Sequence, residues 1–157
     1  MKRIIFTLAL VVSFLATLSA QTDSKAIGLR FGGISGFGGE LSYQQPIGSE
    51  NRVELDLGIG GWRLGLTGIY QWVWDLSTVA DGLKWYAGPG AAVGLTYGSD
   101  WSNGAYIGIA GQVGLEFNFA FPLQLSLDYR PSIFLLKPAW MSSGYYDGIC
   151  FAARYRF

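Results

Sequence analysis

The last nine residues, Ile149-Cys150-Phe151-Ala152-Ala153-Arg154-Tyr155-Arg156-Phe157, place apolar or aromatic side chains at the odd positions and Cys, Ala and two arginines at the even ones. Successive side chains of an extended strand point to opposite faces, so this segment has one oily face and one charged face. Upstream the same period of two recurs. Leu123, Leu125, Leu127 and Tyr129 oppose Gln124, Ser126, Asp128 and Arg130, and Val53, Leu55, Leu57 and Ile59 oppose Arg52, Glu54, Asp56 and Gly58.

Further segments repeat the pattern. Ile27, Leu29 and Phe31 oppose Gly28, Arg30 and Gly32, and Leu41 and Tyr43 oppose Glu40, Ser42 and Gln44. Leu66, Tyr70, Trp72 and Trp74 stand against a mixed face of Thr67, Ile69, Gln71, Val73 and Asp75. Trp85, Ala87, Ala91, Val93 and Leu95 stand against Lys84, Gly88, Gly90, Ala92, Gly94 and Thr96. Ile107, Ile109, Val113, Leu115, Phe117 and Phe119 oppose Gly108, Ala110, Gln112, Gly114, Glu116 and Asn118. Turn-like clusters near 32–39, 46–51, 60–62, 75–82, 98–104, 120–122 and 137–144 separate eight such segments. Pro89, inside the fifth, cannot donate to a ladder, which predicts a bulge or a broken pairing there.

Alternation alone leaves the facing open. A soluble barrel of the lipocalin kind turns its apolar face inward, and a membrane barrel turns it outward. Three features select the membrane. The polar face is rich in Gly, Ala and Ser, and charged residues are only 14% of the chain, too few for a water-facing surface. Small side chains are what the narrow interior of an eight-stranded barrel accommodates. The oily face ends in aromatic belts: Trp72, Trp74, Trp85, Phe117, Phe119, Tyr155 and Phe157 toward one rim, and Trp62, Tyr97, Trp101, Trp140, Tyr145 and Tyr146 toward the other. A closed sheet with an even number of strands also leaves no unpaired edge in hydrocarbon.

The N-terminus agrees. Lys2-Arg3 precedes an apolar run from Ile4 to Leu18, and Ser19-Ala20 supplies small residues before Gln21. This is the three-part pattern of a secretory signal peptide over 1–20, leaving 21–157 as one barrel domain. The apolar run is short for a transmembrane helix. Losing Lys2 and Arg3 makes the balance of charges slightly acidic, which gives no footprint for nucleic acid.

The expected fold is therefore all-β: an eight-stranded antiparallel transmembrane barrel, wound as an up-and-down meander behind a cleaved signal. With both termini on the periplasmic side, the links near 33–39, 60–63, 97–105 and 135–144 face outward from the cell. The whole pattern, ending in Ala153-Arg154-Tyr155-Arg156-Phe157, resembles the small OmpA/OmpX-like outer-membrane β-barrel proteins of Gram-negative bacteria. That resemblance implies insertion by the barrel-assembly machinery, with Tyr155 and Phe157 as the signal it reads, and outer-membrane lipid as the surroundings. It does not fix a function, because the family includes anchors, adhesins, small pores and lipid-modifying enzymes.

Chemistry is sparsely represented. Histidine is absent, so hydrolysis or acyl transfer by a Ser-His pair is excluded. Cys150 is the single cysteine and reads as packing. Glycines at 88, 90 and 94 lack the spacing of a dinucleotide loop, and no carboxylate spacing suggests a metal, so no cofactor is expected. Projected into the lumen are Arg30, Glu54, Asp56, Glu116, Asp128, Arg130 and Arg154, with Lys84 nearer the periplasmic rim. Isolated charges there would be costly, so they should pair into a plugging network. The expected role is structural or interactive and non-enzymatic. A narrow porin-like channel is the alternative, and a lipid-modifying enzyme a weaker one. Trp62, Trp101, Trp140 and Tyr145 could form an exposed aromatic binding surface.

Overall fold

A computed structural model describes residues 24–32, 38–60, 63–97, 104–138 and 144–157. The proposed signal peptide, and Trp62, Trp101 and Trp140 of the proposed aromatic surface, lie outside the described residues.

Among the described residues there are ten strands: β1 (Ala26–Gly32), β2 (Gly39–Pro46), β3 (Asn51–Gly60), β4 (Arg63–Asp75), β5 (Leu83–Thr96), β6 (Gly104–Asn118), β7 (Leu123–Tyr129), β8 (Ser132–Leu136), β9 (Tyr145–Tyr146) and β10 (Ile149–Arg156). They make eight spans. Arg130 and Pro131 interrupt one, dividing it into β7 and β8, and Asp147 and Gly148 interrupt the next, dividing it into β9 and β10. Neighbours in sequence pair antiparallel around the ring, with β6 meeting both β7 and β8. The ring closes where β1 pairs β10 along its whole length, from Ala26 opposite Arg156 to Gly32 opposite Cys150. Closure satisfies both edges of the sheet, the condition for standing in hydrocarbon.

The turns at the end carrying both termini are short and follow from their residues. Gly48 adopts φ +95° between β2 and β3, a left-handed conformation that glycine supplies without steric cost. Between β4 and β5, Asp75 Oδ1 accepts the Ser77 amide at 2.7 Å and Leu76 N donates to Leu83 O at 3.0 Å. Arg156 ties the β6–β7 turn to the C-terminal strand, donating from Nη2 to the carbonyls of Phe119 at 2.5 Å and Phe121 at 3.2 Å.

Burial is inverted relative to a water-soluble domain. Arg30, Glu54, Asp56, Gln71 and Arg154 are among the most deeply buried side chains, whereas Leu29, Leu66, Ile109, Leu115, Leu127 and Phe151 are exposed. The exposed leucines, isoleucines and aromatics form a belt around the outside, so the medium that surrounds this barrel is lipid and not water. At the rim near the termini, Trp74 and Trp85 stack with centroids 4.1 Å apart, Phe117 meets Phe119 edge-on at 4.8 Å, and Tyr155 lies over Phe157 at 6.4 Å.

The break in pairing expected at Pro89 is present. The pairing of β4 with β5 skips Tyr70–Gln71 opposite Gly88–Pro89 and resumes in the same register, so the proline breaks the ladder without a bulge. A bulge not expected from sequence lies where β8 pairs β6: Phe134 is opposite Gly108 and Leu136 opposite Ile107, leaving Leu135 as the extra residue. Tyr146 also departs from the outer aromatic belt. It packs on Phe134 at 5.5 Å, and Phe134 packs on the buried Tyr106 at 5.1 Å, so the three make a cluster on the inner side of the wall.

Candidate functional site

Polar side chains of all eight spans converge in the interior, those of seven forming two sets and Tyr86 of the eighth linking them. The set farther from the termini is built on Arg30 of β1 and Arg130, the residue at the β7–β8 break. Arg30 Nη1 donates to Glu40 Oε2 at 3.1 Å, and its Nη2 bonds the Asp128 carboxylate. Arg130 donates to Glu40 Oε2 and to Asp56 Oδ2, both at 2.7 Å. Arg30 Nη1 is 3.9 Å from the same Asp56 oxygen, so two cations and two anions alternate around a ring, with Asp128 attached. Arg30 Nε and Asp56 Oδ1 are buried in this ring without a protein hydrogen-bond partner.

The set nearer the termini centres on Glu54. Its Oε2 accepts from Arg154 Nη2 at 2.9 Å and Gln44 Nε2 at 2.7 Å, and its Oε1 accepts from Gln112 Nε2 at 3.0 Å. Arg154 also donates to Ser42 Oγ at 2.9 Å and Ser126 Oγ at 2.8 Å. Gln71 Nε2 donates to Gln112 Oε1 at 2.6 Å and accepts at its own Oε1 from Arg52 Nε at 2.5 Å. Arg52 Nη2 then pairs with Glu116 Oε2 at 2.5 Å. Charge-assisted bonds of this kind are the strong ones, and low surrounding polarity strengthens them further.

Tyr86 joins the two sets. It is fully buried, its hydroxyl donates to Asp128 Oδ2 at 3.2 Å, and the Arg52 guanidinium sits 4.9 Å from its ring centroid. Space for the ring comes from Gly114 on the neighbouring strand: a Cβ there would lie 2.7 Å from a Tyr86 ring carbon.

Of the residues named from sequence, Arg30, Glu54, Asp56, Glu116, Asp128, Arg130 and Arg154 meet in these two sets. Lys84 is half-buried at the rim beside the termini, in register with Asp75 and Glu116, and the buried partner of Glu116 is Arg52. Near it a cavity of about 300 Å³ is lined by Ser49, Glu50, Val73, Trp74, Asp75 and Lys84. Glu40, Arg52 and Tyr86 are members that the sequence reading left out of the network. The parity of Glu40 and Arg52 in their strands was signal enough; Tyr86 carried the same parity but its aromatic character concealed it. Tyr145 is exposed, and its hydroxyl lies 3.0 Å from that of Tyr129 and 3.1 Å from Asp147 Oδ2. Tyr155 and Phe157 project outward at the rim, and the Phe157 amide donates to Lys25 O at 2.8 Å.

What the interior does chemically follows from its pairing. Most polar atoms are committed to partners across the lumen, and the carboxylates are neutralised by guanidiniums. Among the described residues no group of His, Cys, Asp and Glu has the arrangement of a metal site.

No family model matches the chain, and no curated protein matches it. Among solved structures, Neisserial surface protein A (NspA) aligns at 14% identity with a TM-score of 0.58, covering 85% of this chain and 96% of that one. Ail, the attachment invasion locus protein of Yersinia pestis, aligns at 19% identity with a TM-score of 0.42, covering 86% and 97%. The likeness to NspA is one of fold, and it bears out the resemblance and the architecture expected from sequence: an all-β, closed, antiparallel barrel of eight spans, the fold of small outer-membrane proteins of Gram-negative bacteria.

Proposed function

We propose that this chain is a structural or interaction component of the outer membrane whose lumen is plugged by its own ion pairs. The observation that carries the reading is the cross-lumen bonding of Arg52, Arg130 and Arg154 to carboxylates on non-adjoining strands, with Arg30 pairing Glu40 on the next strand and Asp128 beyond β10; all four arginines are less than a tenth exposed. An eight-stranded barrel is narrow enough for its side chains to fill it, and a filled interior of paired charges leaves no continuous water path. No activity is assigned to the interior. Lipid contact is supplied by the outer belt. Insertion by the assembly machinery through Tyr155 and Phe157 is part of the same proposal.

Single-channel recording in planar bilayers tests it. A plugged barrel gives a silent membrane. Reproducible, uniform conductance steps would overturn the plug and establish the porin-like alternative.

A further inference from the structure

The far end of the lumen is covered differently from the end that carries the termini. There the wall includes β8 and β9, whose inward side chains continue from Tyr106 of β6: Phe134 packs on Tyr106, and Tyr146 packs on Phe134. Both strands are separated from the rest of their spans by breaks, and the breaks adjoin: Arg130 N donates to Gly148 O at 3.0 Å. Pro131 has no amide hydrogen, so the sheet lacks a donor at that step. Gly111 of β6, opposite Pro131 by its 2.9 Å bond to the Pro131 carbonyl, is opposite Pro89 on its other side. Two prolines on either side of Gly111 thus weaken the wall at one level across three adjoining spans. Above that level the pairing of β8 with β6 is further disturbed by the bulge at Leu135.

Coupling to the plug is direct. Arg130, at the break itself, holds both Glu40 and Asp56. This ring also contains two of the four buried side-chain atoms without partners among the described residues, Arg30 Nε and Asp56 Oδ1, against one, Asn118 Oδ1, beside Glu116 of the other set.

We propose that β8 and β9 form a hinged aromatic roof that lifts about the Arg130–Pro131 and Asp147–Gly148 breaks and admits water to the ring of Arg30, Glu40, Asp56 and Arg130. The proposal rests on the plugged-lumen reading, since a roof over an open pore would have nothing to uncover. Local opening of this kind draws on elements with poor ladder continuity, while the long β5–β6 ladder stays closed.

Thiol accessibility tests it. Ala92 faces the lumen, 5% exposed, opposite Gly108, which in turn is opposite Phe134. In a Cys150→Ala background, Ala92→Cys in vesicles is exposed to a cationic, membrane-impermeant methanethiosulfonate. The roof predicts slow but complete labelling, accelerated several-fold by Phe134→Ala. A rate unaffected by Phe134→Ala, or no labelling with or without it, overturns the proposal. Should the cysteine variant fail to fold, amide hydrogen exchange on the unaltered chain decides: amides of 132–136 and 145–146 exchange well before those of β5 and β6, and equal protection overturns the hinge. Conductance is read separately, so a conducting barrel would refute the plug while a fixed roof would refute only the hinge.

Discussion

Arg154 Nη2 lies 2.9 Å from Glu54 Oε2, across a sequence separation of 100 residues, with both side chains fully buried. The pair links β10 to β3, which are not neighbours in the ring, so it spans the lumen instead of following the wall. Removing one member leaves the other as an uncompensated buried charge. Arg154→Met is therefore expected to destabilise the barrel by about 3–5 kcal/mol. Urea unfolding in lipid vesicles measures it. Adding Glu54→Gln to Arg154→Met should restore part of the loss, and a second substitution that simply adds to the first would contradict the pairing.

The facing of the wall predicts a dependence on depth. Leu127 is 55% exposed and opposite both Leu115 and Phe151, in the middle of the oily belt, whereas Ile59 is the last residue but one of β3, at the far rim. Arginine at the bilayer midplane costs about 2–4 kcal/mol and close to nothing at the interface. Leu127→Arg should thus lose far more stability than Ile59→Arg in the same vesicles, and equal losses would argue against a lipid belt at this position.

Tyr86 makes two separable contributions. Tyr86→Phe keeps the ring beneath Arg52 and removes the hydroxyl that Asp128 accepts, which should cost about 1.5–3 kcal/mol for a bond to a charged group. Tyr86→Leu removes the ring as well and should cost more, through the lost cation–π contact. Vesicle unfolding of the two variants side by side distinguishes the terms; a Phe variant as damaged as the Leu variant would assign the whole effect to the hydroxyl.

Gly114 tests the same packing from below. A Cβ there would meet Asp128 Cβ at 2.6 Å as well as the Tyr86 ring. Gly114→Ala is expected to cost about 1–3 kcal/mol, the usual penalty of overpacking. In a Tyr86→Leu background the penalty should shrink, because part of the obstruction is gone.

Deleting Phe157 addresses assembly. The residue anchors its amide to Lys25 and stacks on Tyr155, so its loss removes a terminal rung as well as the proposed targeting aromatic. Pulse-chase with gels run on unboiled samples should show slower appearance of the compact form. Unaltered kinetics would remove the targeting role from Phe157.

The facing of nearly every span could be read from sequence, because a period of two fixes which side chains share a face, and the scarcity of charge fixed which face meets lipid. Membership of the lumen was readable for the same reason. The partners were not. Arg130 meets Glu40, 90 residues away, and Arg154 meets Glu54, because the closed and tilted sheet carries those levels past one another, and alternation carries no information on that offset. Arg52 and Glu40 lie near strand ends, where a charge reads equally well as a rim residue. Tyr86 was concealed by its own greasiness: its place inside depends on Gly114 leaving a gap one strand away. The breaks at Pro131 and Gly148 were likewise hidden, since the hydrophobic period runs through them without losing step.

The bond between β1 and β10 carries a consequence for biogenesis. The two partners are the first and last strands of the described barrel, so the cylinder has no closing seam until both have been synthesised. Until then its arginines and carboxylates have few of their eventual neighbours, and its greasy exterior has no bilayer. Such a polypeptide must be kept extended and soluble in transit, and a premature stop anywhere upstream would yield an open sheet that no membrane could accept.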